Sequence, residues 1–377
     1  MQNPSARSMI ANERSSPDML RGFKDGTLYQ NHLFLQKYPL SVRLSIHIDD
    51  VEYCNALGSR KGKQKITVLS FKVQNFDDRV NSNLVRVYNV LFVRSLLLKK
   101  YAFKKILRPL MEDLTLLVTD GVTLHLSNAE SYTLRATFVH VLGDTLAIHE
   151  LFELMPPQSN IFCRACYISR AAFHEGRFGA EYPLRTRESI SNDLEALRNN
   201  SIASSKCGLF RAAIFNSLRY FHFAEYASFD PMHDILEGVA SLVIKGTLNY
   251  LVNQLKLISN ADLNDRIVSF DYGVEESKDR PVGSFTARGL RGNENVISQS
   301  ASQTWLLLRA FVFLFADLLD GQTDYCELFS DLLLITYYSF STVLTRNMVN
   351  RLESAIESFY KKFKCCFPNK IPINKLS

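Results

Sequence analysis

The sequence lacks the motifs that assign many proteins at a glance. Its 377 residues contain no P-loop, dinucleotide glycine fingerprint, H-E-x-x-H helix or nucleophile elbow, so nothing in it points to the nucleotide-binding, zincin or α/β-hydrolase classes. Its most apolar run, Trp305 to Leu319, is interrupted by Arg309 and Asp317. That run falls short of the roughly 20 residues a membrane span needs and reads as a buried helix. The opening residues, MQNPSARSMIANERSSPD, are polar and lack the apolar stretch of a secretory signal. Seven scattered cysteines, an odd number, form no disulfide framework and suit a reducing intracellular compartment. Charge of one sign is not in great excess either. Lys and Arg number 44 against 38 Asp and Glu, a net +6 that fits an anionic partner without demanding one.

What is present is an ordinary globular balance, 46% hydrophobic and 22% charged. Residues 1–16 read as disordered, and Ser16-Pro17-Asp18 as a possible helix start. LSIHID at 44–49 and ITVLSFKV at 66–73 alternate like strands, with a Gly- and Lys-rich turn at 55–65 between them. Helical spacing runs over 85–118 and breaks near Pro109. Residues 132–141 alternate as a further strand. Beyond 150 helical spacing dominates, at 210–220, 232–258 and 303–363, with a polar, glycine-rich loop carrying short elements over 259–300. The expected organisation is an N-terminal segment to residue 40, an α/β region over 41–155 and a mostly helical region over 156–377.

Four features carry chemistry. Asp49 and Asp50 follow one predicted strand and Asp144 follows another. Carboxylates at strand ends can hold Mg²⁺, although an Asp there is more often a turn former or helix cap. Cys163 and Cys166 form a C-x₂-C pair, half of a tetrahedral zinc site, with His174, His222 or His233 as possible partners. Asp230, His233 and Glu237 lie in FDPMHDILEG, where Asp230 suits a helix cap and His233 and Glu237 share a helix face. Lys99, Lys100, Lys104, Lys105 and Arg108, interleaved with Tyr101 and Phe103, either meet phosphates or form the wet face of an amphipathic helix.

In their order along the chain, several segments resemble the catalytic region of CACTA-type (En/Spm-like) DDE DNA transposases. They are LRGFKDGTLYQNH (20–32), IDDVEYCNALGSRKGKQKI (48–66), ILRPLMEDL (106–114) and VLGDTLAIHELFEL (141–154). FCRACYISR (162–170), CGLFRAAIFNSLRYFHFAEYASFDPMHDILEGV (207–239) and SASQTWLLLR (300–309) continue the series. The resemblance implies an α/β fold: an RNase H-like core, a mixed sheet with helices, followed by a large mostly helical insertion. It implies two-metal-ion cleavage and strand transfer of DNA in the nucleus, with Mg²⁺ or Mn²⁺ on Asp49 and Asp144 as the first two acids and Asp50 beside them. Cys163 and Cys166 would be the cysteine half of a Zn²⁺ site. Asp230 and His233 would support the centre, with Glu237 a secondary candidate for the third acid. DNA is the implied partner, together with a second copy or an intact transposase, and no membrane.

The sequence also departs from that family. Ala56, Gln64 and Thr145 stand where Pro, His and Asn are usual. The chain ends in FPNKIPINKLS, where the family continues to two histidines and a Glu. The reading is therefore a transposase core lacking its third acid and its zinc histidines, and so without strand cleavage. The alternative is a non-catalytic module, derived from a transposon, that binds DNA or a transposase.

Overall fold

The computed structural model describes residues 18–52, 65–76, 78–126, 130–175, 182–292 and 297–368. The segment 1–16, most of the turn at 55–65 with Ala56 and Gln64, and the last nine residues lie outside the described ones, as does the side chain of Lys99. The chain is mixed α/β. It divides into a first compact unit that runs to Phe229 and a second that begins at Asp230. Residues 156–229 thus group with the α/β region rather than with the helices that follow.

The first unit is built on a four-stranded mixed sheet. Strands β1 (Val42–Glu52), β2 (Lys65–Val73) and β3 (Tyr88–Arg94) run antiparallel in sequence. Two short strands, β4 (Val122–His125) and β5 (Ser131–Leu134), form a separate hairpin. β6 (Ala136–Leu142) then joins the main sheet parallel to β1, giving the order β3-β2-β1-β6. The parallel pair requires a crossover, and helices α1 (Ser95–Ile106) and α2 (Arg108–Thr119) lie within it.

Four expectations are corrected here. Residues 88–94 are a strand, not the start of a helix. YNVLFVR is rich in β-branched and aromatic residues and pairs with β2, and the helix begins only at Ser95. The strand expected over 132–141 is two strands split at Arg135, whose carbonyl oxygen accepts the Val42 N–H. Residues 210–220 are largely irregular, with one 3₁₀ turn at Ile214–Ser217. Their apolar spacing serves an aromatic cluster of Phe215 and Phe221 against Phe138 and Phe152, and Asn216 caps the next turn through Phe223 N. Met19–Leu20 is likewise extended, where a helix start was expected nearby.

The sheet's two faces differ. One carries Leu44, Ile46, Ile48, Leu69 and Phe138, all buried in one core with Leu98 and Phe103 of α1 and Met111 of α2. The other is covered only at one end, where Phe23 meets His140 and Tyr29 lies beneath the Arg43 guanidinium. Arg43 and Ser45 are accordingly buried, whereas His47, Asp49 and Val51, further along the same face, are exposed.

The second unit is helical. Its helices include Met232–Gln254, Asn260–Ser269, Ala301–Phe315, Thr323–Ser339 and Arg346–Cys366. The helix at 260–269 occupies part of the expected polar loop, and Ser259 caps it. Two helical stretches, Met232–Gln254 and Ala301–Leu318, are long and apolar enough to cross a membrane. Within the chain they act as core, with Val243, Ile244, Leu248, Leu307, Leu308 and Phe311 buried together.

Candidate metal centre

Asp49 lies near the end of β1, and Asp144 follows the end of β6. The last registered pair between the parallel strands is His47 beside Leu142. Continuing that register sets Ile48 beside Gly143 and Asp49 level with Asp144. A Cβ on Gly143 would lie 2.7 Å from Ile48 Cγ2 and 2.8 Å from Ile48 O, so only glycine allows this approach. Side-chain alternation gives Asp49 the open face. Its Oδ1 accepts the Asp50 N–H at 2.7 Å. Asp144 caps helix α3 (Thr145–Leu151), its Oδ1 accepting the Ala147 N–H at 2.6 Å. Each carboxylate keeps a second oxygen, and an all-oxygen donor pair of this kind suits a hard divalent cation.

Asp50 points the other way. Its Oδ1 accepts from Thr67 Oγ1 at 2.6 Å and from Ser95 Oγ at 3.4 Å, on the face that α1 covers. It joins the sheet to the start of α1. The two hydroxyls that hold it were not legible in the sequence, because they become its neighbours only through β2 pairing and the start of α1. Among the described residues, no group of three or more His, Cys, Asp or Glu is placed to hold a metal ion.

Cys163 is buried and Cys166 half-buried. The two thiols are hydrogen-bonded to each other. This draws Cys163 down to about 6 against the effect of its burial, with the Ala165 N–H and the Arg185 guanidinium also favouring its thiolate, and pushes Cys166 up. Arg185 Nε donates to Cys163 O at 2.9 Å. Two thiols so placed fit half of a tetrahedral zinc shell. His222 is engaged elsewhere: its Nδ1 accepts the Ala224 N–H at 3.3 Å, and its Nε2 lies 3.0 Å from Asn216 Nδ2. His174 is exposed beside Phe173. A residue missed by the sequence reading is His149 of α3, 1% exposed, whose Nδ1 donates to Met155 O at 2.7 Å. Burial, with the Arg164 and Arg185 charges, lowers its pKa to about 4, although the Met155 hydrogen bond opposes that shift.

Asp230, His233 and Glu237 belong to the second unit. Asp230 caps the start of the long helix, its Oδ1 accepting the Met232 N–H at 2.9 Å and its Oδ2 lying 2.7 Å from His233 Nδ1. Burial works against the Asp230 charge, but the His233 ring and these N–H groups outweigh it and hold the carboxyl below its usual range. Glu237 Oε2 is 4.0 Å from His233 Nε2, so the three residues form one chain along the helix start. Within the basic stretch, Phe103 turns inward while Lys100, Lys104, Lys105 and Arg108 are exposed on α1 and α2, away from the face that bears Asp49.

Comparison with known proteins adds no relative: no family model matches the chain, and no curated protein matches it.

Proposed function

We propose that the chain is the catalytic region of a CACTA-type DDE transposase with an RNase H-like core, in which Asp49 and Asp144 are the first two acids. One observation supports this reading: the parallel β1–β6 register, which runs to His47 beside Leu142 and, continued by two residues, brings Asp49 level with Asp144 just past the end of β6. An RNase H-like core needs such a pairing to bring its first two acids to one ion. Asp49 and Asp144 would hold Mg²⁺ or Mn²⁺, which when bound polarises a phosphodiester and stabilises the charge developing on its oxygens. The protein's own contribution is to fix the two carboxylates, one by a rigid strand and one by a helix N-cap.

Clamping both the attacking and the leaving oxygen takes a second ion and further carboxylate ligation. Asp49 and Asp144 alone are therefore expected to bind metal and DNA without cutting. Plasmid nicking in Mg²⁺ tests this. An intact plasmid fits the two-acid centre. Nicking abolished by Glu237→Gln makes Glu237 the third acid. Nicking that survives in Asp49→Asn overturns the reading.

The second reading, a transposon-derived module that binds DNA or a transposase without chemistry, is favoured by the exposed lysines of α1. It predicts DNA binding that weakens steeply with salt and is indifferent to Mg²⁺. The cysteine pair is assigned to a Zn²⁺ half-site, checked by metal analysis of the purified protein.

A further inference from the structure

The strand register extends the row that begins at Asp144 and Asp49. Asp49 pairs with Val68, and Val68 pairs with Phe92. Asp49, Val68 and Phe92 therefore cross the sheet in one line, with Asp144 just beyond the end of β6 on the Asp49 side, and Phe92 sits about 10 Å from Asp49 at the usual strand spacing. The next row on the same face is Val51, Ile66 and Arg94. Phe92 is 62% exposed and Val51 49% exposed, and Arg94 is exposed. Large aromatics are seldom left so open on a sheet face. Packing does not account for this one, because the core lies on the opposite face with Leu69, Leu91 and Val93.

The charges on the open face select the occupant. Arg94 stands at one end and Lys72, paired with Ser45, at the other, with His47 between. Asp49 is the carboxylate of these β1–β3 rows, and Asp144 adds a second at the end of its row. An open aromatic beside Arg94, with acids suited to a metal at the other end of the row, matches a polyanion whose units carry flat apolar rings.

We infer that this face binds a single nucleic-acid strand, with Phe92 stacking on an unpaired base and Arg94 meeting the adjoining phosphate. The inference rests on the reading of Asp49 given above only for what the strand is brought to. It makes Phe92 a positioning residue, and single-stranded rather than duplex DNA the preferred occupant.

The test uses the full chain and a short single-stranded oligonucleotide carrying 2-aminopurine, with the matching duplex beside it. Binding is read by anisotropy and stacking by quenching of the 2-aminopurine. Wild type is expected to prefer the single strand and to quench it. Phe92→Ala is expected to weaken single-strand binding by about tenfold or more and to abolish the quench. Phe92→Trp is expected to restore both, and Arg94→Gln to weaken binding and flatten its salt dependence. Unchanged affinity in Phe92→Ala, or binding without quenching, would overturn the inference. So would a Phe92-dependent shift in sedimentation without any effect on the oligonucleotide, which would make the face an interface between copies. If Asp49→Asn leaves metal binding intact while Phe92 still governs the quench, the transposase reading fails and the strand surface stands.

Discussion

Acid should destabilise the first unit through histidines that are buried uncharged. His32, His149 and His222 are 3%, 1% and 7% exposed. Burial is the main cause that lowers each from 6.5 to about 4. Around His149 the Arg164 and Arg185 charges add to the shift. Around His32 and His222, Arg187 adds to it while Glu225 opposes it. Between pH 6.5 and 4 the unfolded chain therefore binds more protons than the folded one, so stability falls as pH falls through that window and levels off below it. Each shift gives about 2 kcal/mol of lost stability between pH 7 and pH 5, and three together about 6 kcal/mol, comparable to the whole stability of many domains. Urea unfolding at pH 7, 6 and 5 measures the slope. His149→Gln, which keeps an N–H for Met155, should remove about a third of it. A variant as pH-sensitive as wild type would refute the assignment of His149 as a neutral buried group.

Other perturbations have expected outcomes of their own. Gly143→Ala should push Ile48 aside and cost about 1–3 kcal/mol in thermal unfolding, and should weaken metal binding although neither acid is changed. In the second unit, a Cβ on Gly246 would lie 2.6 Å from the Phe367 ring, so Gly246→Ala should destabilise by a similar amount. Phe367→Leu should partly relieve that loss in the double variant, and strictly additive losses would show that the two do not touch. Asp230→Ala removes the cap on Met232 N and the His233 contact, and should lower stability by about 1–2 kcal/mol; an unchanged melting temperature would contradict the capping role.

The strands at 42–52 and 65–73 were legible because LSIHID and ITVLSFKV alternate in a way only a strand satisfies. The helices after 300 were legible because helical apolar spacing recurs from 303 to 363, which the structure divides into three helices. β3 was not, because YNVLFVR runs into the helical LLLKKYAF without a turn residue, and strand identity there comes from pairing with β2. The 210–220 segment misled for the opposite reason: its apolar residues are spaced for an aromatic cluster, not for a helix face. Asp49 and Asp144 were visible as strand-end acids 95 residues apart in the numbering. Which of Asp49 and Asp50 faces the open side was not, since a one-residue choice of face is settled only by strand register. The exposure of Phe92 in the same row as Asp49 was hidden for the same reason.

The central claim is that Asp49 and Asp144 hold one divalent ion between them. Mn²⁺ titration followed by electron paramagnetic resonance tests it most directly, on wild type, Asp49→Asn, Asp144→Asn and Asp50→Asn. The account predicts a bound ion in wild type, its loss in Asp49→Asn and in Asp144→Asn alike, and its retention in Asp50→Asn, whose carboxylate faces Thr67 and Ser95. Equal binding in wild type and in the Asp49 and Asp144 variants would contradict it.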